Sequence, residues 1–213
     1  MNTINKHKLL RAVLYTGLAT ALATGCANKP PMNGDMSVGA AMSMSRSDFK
    51  DYSLFQGSQD CSDMGWKLYG EFDPGVREKV VFEGGYAQMG DTTFDGLWQG
   101  VSDQGTIETD LFEASVGYRY PFTEKFSAGG RVGAAYVDVQ EDETYAGTPE
   151  SHSASETVPF GGVVFRYAIG ERWGIAAHYD RYLDVGKVGE TGEGDIDVYG
   201  INADFRFGDS SSK

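Results

Sequence analysis

The sequence holds only two cysteines, Cys26 and Cys61, so no disulfide framework stabilises the chain. After residue 25 no stretch approaches the ~18 consecutive apolar residues of a membrane helix, which excludes a helical span. Basic residues are outnumbered, with 18 Lys and Arg against 31 Asp and Glu, for a formal charge of −13. A chain this acidic argues against nucleic acid as a partner and against anionic headgroups bound by general attraction. At 213 residues there is room for one domain, or at most two small ones. What the sequence has in quantity is glycine (29) and aromatic residues, 12 Tyr, 12 Phe and 3 Trp.

The first 25 residues read as an export signal: Lys6, Lys8 and Arg11 precede the apolar run "AVLYTGLATALAT". "ALATGC" resembles the lipobox of bacterial lipoproteins, which implies cleavage before Cys26 and acylation of its thiol. Ala23 stands where that motif usually has Leu, and ordinary cleavage after Ala27 is the alternative, which would discard Cys26. Ala27 after an acylated cysteine fits the sorting that sends such lipoproteins to the outer membrane. Removing residues 1–25 takes away three basic residues and no acid, so the charge moves from −13 to −16. Residues 26–35 read as a linker and 208–213 as a short tail.

Between them, eight segments alternate with a period of two: 36–45, 65–73, 79–90, 109–121, 124–138, 158–168, 172–183 and 195–207. Most exceed the ~5–6 residues usual in soluble sheets and suit tilted strands that span a bilayer. Connections alternate between long (46–64, 91–108, 139–157, 184–194) and short (74–78, 122–123, 169–171). That asymmetry predicts an all-β, eight-stranded antiparallel up-and-down transmembrane barrel, its short turns and N-terminus on the periplasmic side. One face of the segments is apolar and aromatic, as in Trp66, Leu68, Phe112, Tyr118, Trp173 and Phe205. The other mixes Gly, Ser and Ala with charges of both signs. A soluble barrel could wet that polar face. Aromatics gathered at strand ends, small residues on the polar face and the strand length favour the membrane.

Several stretches resemble the transmembrane domain of OmpA-like outer-membrane proteins over roughly 36–207. They are "MSVGAAMSMS", "DCSDMGWKLYGEF…VVFEGGYAQMG", "VGYRYPFTEKFSAGGRVGAAY", and "AAHYDRYLDVG" followed by "DIDVYGINADFRF". The resemblance implies an outer-membrane address, assembly by the barrel-insertion machinery, and no catalytic activity or cofactor. The family's best-known members carry a peptidoglycan-binding domain, whereas here "GDSSSK" follows Phe207, so the tethering role does not transfer.

On the polar face lie Lys67, Glu71, Glu83, Glu113, Arg119, Arg131, Arg166, Asp204 and Arg206. A barrel of eight strands is filled by its own side chains, so these charges persist only if paired. The resemblance implies that Glu83 pairs with a luminal Arg of the seventh strand, an arrangement linked to gating. That position is Ala176 here, and the family's acid on the sixth strand is Arg166. Glu83 is therefore expected to meet Arg131 or Arg166.

The connections are acidic, with Asp91, Asp95, Asp103 and Glu108 in 91–108 and Glu141, Asp142, Glu143, Glu150 and Glu156 in 139–157; neither holds Lys or Arg. "QEDET" lacks the calcium-loop pattern, so solvated charge rather than a metal site is expected there, with a weak divalent bridge to lipopolysaccharide phosphates as the alternative. Cys61 falls in the first long connection, too far from Cys26 for a bridge. The leading function is a non-enzymatic structural or surface-contact barrel. It would touch outer-membrane lipid and lipopolysaccharide, and a surface ligand through 46–64, 91–108, 139–157 and 184–194. The alternatives are a narrow ion pore, or a lipid-A or phospholipid enzyme built on His178 with Asp180 or on His152, Ser153 and Ser155.

Overall fold

The computed structural model describes residues 35–49, 55–60, 62–74, 79–187 and 191–207. The signal segment, Cys26, the linker up to residue 34, Cys61 and the tail 208–213 lie outside them. Among the described residues ten strands form: β1 (Asp35–Phe49), β2 (Phe55–Asp60), β3 (Ser62–Asp73), β4 (Val80–Gln88), β5 (Thr92–Trp98), β6 (Val101–Pro121), β7 (Phe126–Tyr145), β8 (Thr148–Ile169), β9 (Trp173–Lys187) and β10 (Gly192–Phe207). No helix among them is long and apolar enough to cross a membrane.

Eight strands close a ring in the order β6-β4-β3-β1-β10-β9-β8-β7, with β7 pairing back onto β6. Every pairing is antiparallel, and the seam between the outermost strands of the chain runs from Met36↔Phe207 to Phe49↔Gly194. This is the eight-stranded barrel that the alternation predicted. Two shorter strands are additions to it. β2 pairs with β5, and β5 pairs with β6 beyond the end of β4, so the sheet spreads sideways at one mouth.

The long connections differ from their reading. Much of 91–108 is β5 and the start of β6, and 139–157 continues β7 and β8 to a two-residue turn at Ala146-Gly147. Both turn residues have positive φ, 51° and 79°, the backbone of a tight hairpin whose twist suits the strands. The reason these strands read as loops is physical. Past the apolar belt the outer face meets water, so polar residues occupy both faces and the period of two fades from the sequence.

The exterior carries the belt. Met42, Phe82, Val132, Phe165, Ile175 and Ile201 point outward and stay exposed, as residues against lipid must. On β7 the belt runs from Ala128 to Tyr136, the length a tilted strand needs to cross the hydrocarbon layer. Aromatic rows bound it. Trp173, Phe205 and Phe207 pack edge to face at one rim, and Trp66, Tyr86 and Phe112 pack with centroids 5.4 and 4.9 Å apart at the other. Tyr86 faces outward, as its alternation with Glu83 demands. Its neighbours nevertheless bury the ring, and its hydroxyl donates to Asp110 at 3.0 Å.

Luminal glycines make room for the interior. A Cβ on Gly39 would run into the Tyr69 ring, one on Gly162 into the Asp180 carboxylate, and one on Gly174 into Arg166 and Asp204. The small residues of the polar face are thus the floor on which larger neighbours lie.

Candidate functional site

Three tiers follow one another along the inner face, and β7 displays them in sequence: Arg131, then Ala135, Val137 and Val139, then Glu141 and Glu143. β8 repeats the order inversely, from His152 through Val158 and Phe160 to Arg166, and β6 matches it from Asp103 through Ile107 and Leu111 to Arg119. Alternation keeps each set on one face, and the antiparallel register sets the tiers level with one another.

The charged tier is densely paired. Glu83 accepts from Lys67 Nζ at 2.6 Å and from Arg131. Arg131 also donates to Asp180 through Nε at 2.9 Å and Nη2 at 2.5 Å. Glu113 accepts from Lys67 and from the Tyr182 hydroxyl, the latter at 2.5 Å. Two cations thus hold Glu83, Glu113 and Asp180, the last of them 1 % exposed. Toward the short-turn mouth, Arg119 forks onto Glu71 and Arg166 forks onto Asp204. Arg206 lies at the mouth itself, 3.8 Å from Asp35.

Of the two arginines expected to meet Glu83, Arg131 does, and Arg166 is engaged by Asp204. Ala176 sits buried in the lumen, cross-strand from Arg166 and Asn202. Two members escaped the sequence reading. They are Asp180 and Tyr182, and the signal for both is the inward alternation of β9 at 176, 178, 180 and 182. Lys67 joins the same group through Glu83 and Glu113.

A cavity of about 30 Å³ lies among Glu71, Glu83, Arg119, Arg131 and Arg166, space for about two water molecules. Above it the apolar tier closes the lumen. Phe160 stacks on Tyr182 at 4.9 Å beneath Val137, Val139, Ile107, Leu111 and Val185, all of them buried.

Beyond the apolar tier, the inner face of the extended sheet is acidic. Asp103 and Glu143 sit diagonally across β6 and β7, Glu150 stands opposite Glu143, and His152 stands opposite Glu141. Burial raises the Asp103 carboxyl above its ordinary value, although a hydrogen bond shared with Glu143 opposes this. Burial also raises Glu143, reinforced by the charge of Asp103 and partly offset by His152.

Of the two catalytic constellations, the one on β8 does not assemble. Ser153 and Ser155 alternate with His152 and point to the opposite face, where the Ser155 hydroxyl donates to Asp138 at 3.2 Å. His178 does meet Asp180, Nε2 to carboxylate at 3.7 Å, but Arg131 also holds that carboxylate, and the other ring nitrogen faces Asn202 at 3.4 Å.

Comparison with known proteins agrees with this architecture. A family model for the outer membrane protein beta-barrel domain matches residues 17–207. Ail, the attachment invasion locus protein of Yersinia pestis, superposes with a TM-score of 0.54 at 20% identity, covering 83% of this chain and 100% of that one. Ail in complex with the heparin analogue sucrose octasulfate gives 0.55 at 19%, over 83% and 100%. The outer membrane protein OprG from Pseudomonas aeruginosa gives 0.55 at 14%, over 84% and 98%. At such identities the likeness is one of fold. No curated protein matches the chain.

Proposed function

Because the chain belongs to the family of outer-membrane protein β-barrels, we propose that it is a non-enzymatic surface protein whose contact face is the acidic sheet beyond the membrane. The observation that carries this reading is the continuation of β5 to β8 past the aromatic rim. A barrel that only sealed the membrane would end its strands there. β7 continues from Asp138 to Tyr145, which at about 3.3 Å per residue is on the order of 25 Å of strand.

The short-turn mouth is periplasmic and the Ala146-Gly147 turn lies outside the cell. The signal 1–25 is removed, Cys26 carries lipid, the barrel occupies 36–207, and the barrel-insertion machinery installs it. Lipopolysaccharide surrounds the belt. The surface partner is basic, because the projecting segments 91–108 and 139–157 hold acids and no Lys or Arg. Ail is seen with a heparin analogue, but a polyanion would be repelled by this face. The luminal charges named from the sequence, apart from Arg206 at the mouth, fix strand register and fill the lumen together with Asp180 and Tyr182.

The pore reading has a specific obstacle in the apolar tier, which excludes ions as well as water. For the enzyme reading, the residues of β8 that share a face with His152 include no serine.

The test replaces residues 141–152 by a two-residue turn in cells that display the protein, and compares adhesion to surfaces coated with a basic protein. Adhesion should fall while heat-modifiable gel mobility still reports a folded barrel. Unchanged adhesion would overturn the surface-contact reading. External protease should cut wild-type protein at 146–147 in intact cells, and protection there would reverse the orientation. Mass spectrometry of the mature N-terminus checks the lipid on Cys26.

A further inference from the structure

We propose that Asp103, Glu143, Glu150 and His152 form a binding site for a divalent transition-metal ion of the zinc class. The four residues come from three strands on the concave side of the extended sheet, and the antiparallel register brings them together across nearly fifty residues of chain. Glu143, Glu150 and His152 converge, each offering one ligand atom within 4.8 Å of those of the other two. Glu143 Oε1 lies 3.4 Å and Glu150 Oε2 3.6 Å from the imidazole nitrogen. Around a tetrahedral ion with ligand bonds of ~2.0–2.1 Å, donors stand roughly 3.3–3.4 Å apart. These spacings are close to the edge of that tetrahedron.

The second observation concerns the fourth residue. Asp103 is 5 % exposed, its carboxyl lies against that of Glu143, and its Oδ1 is buried with no hydrogen-bond partner. A carboxylate oxygen out of water and without a donor is costly, and two carboxylates side by side repel. A metal ion between them supplies the missing positive charge to both.

Ligand chemistry selects the ion class. One imidazole with three carboxylates suits zinc, manganese or nickel better than calcium, which takes six to eight oxygens and no nitrogen. Glu150 and the imidazole remain half in solvent, which leaves an entry path from the open side. Glu141, cross-strand from His152, adds a further negative charge to the same face.

The test uses the full chain folded in detergent, titrated with Zn²⁺ by calorimetry in physiological salt, with Co²⁺ as the spectroscopic probe. One Zn²⁺ should bind per chain, and Co²⁺ should give the visible absorption of a four-coordinate site. His152→Ala and Asp103→Asn should each weaken binding by more than about tenfold, since losing even an outer partner of a ligand costs that much. Asp142→Asn, which removes an acid from the opposite face, should leave binding unchanged. Gel mobility and circular dichroism confirm that each variant is folded. Equal weakening by Asp142→Asn and His152→Ala would mean diffuse attraction to acidic surface and would overturn the site. Binding that Ca²⁺ competes away at equal concentration would overturn the metal class, and no saturable Zn²⁺ binding would overturn both.

Discussion

Arg131 is shared between Glu83 and Asp180, so its removal strands the buried Asp180 carboxylate and leaves Glu83 to Lys67 alone. Breaking a buried pair by deleting one partner costs about 3–5 kcal/mol, and Arg131→Ala should reach or exceed that range in urea unfolding of the bilayer-inserted barrel. A double-mutant cycle distinguishes the arginines. Glu83→Gln with Arg131→Ala should depart from additivity by roughly 0.5–3 kcal/mol, whereas Glu83→Gln with Arg166→Ala should add to within about 0.5 kcal/mol. The acids above the membrane give a pH signature. Asp103 and Glu143 are raised in the folded sheet, so between their ordinary and raised values the folded state holds more protons than the unfolded one. The destabilisation they cause is absent below their ordinary values of 3.8 and 4.5, grows as pH rises, and is complete above the raised values. In metal-free protein, hydrogen exchange at 139–145, corrected for intrinsic rate, should therefore slow on acidification through that window. Glu143→Gln should flatten the dependence.

The β7–β8 hairpin turns on Ala146, an L-residue held at φ 51°. Ala146→Asn should relieve that strain and slow exchange in the flanking amides by an amount worth up to about 1 kcal/mol, because Asn tolerates this backbone. Gly162→Val should do the reverse within the barrel, displacing Asp180 from Arg131 and lowering the urea midpoint. These elements differ in how visible they are from the sequence. Where lipid lies against one side, as at Phe82, Val132 and Ile201, the period of two is strong and all eight barrel strands can be read. Along β5 and the outer halves of β7 and β8 polar residues occur on both faces, although Phe94, Val139 and Ala154 are buried. "QEDETYAGTPESHS" therefore looks like a loop, although it is a hairpin. Pairing is also invisible to one strand alone. Glu83 announces a need for a cation, but only the register between strands distinguishes Arg131 and Lys67 from Arg166. The Asp103, Glu143, Glu150 and His152 group needs the same register and has no local motif.

For the whole molecule, the stacking of tiers determines whether anything passes through. Charges near the short-turn mouth are paired, and the stack of Phe160 on Tyr182 with its Val and Leu neighbours forms a dry layer above them. Wild-type barrels in planar bilayers should give no resolved conductance. Phe160→Ala combined with Val137→Gly should open one, because a wet path would then join the cavity to the acidic mouth. Conductance of the unaltered protein would favour the pore.

The seam in which Met36 lies opposite Phe207 has one further consequence. Because β1 and β10 are neighbours, the barrel is a cycle of hairpins in which no strand is topologically first. A short linker from the end of β10 to the start of β1, with new ends cut at Gly170, should yield a circular permutant that inserts and resists heat like the parent. The order of synthesis could then be rotated around the ring without altering a single strand pairing.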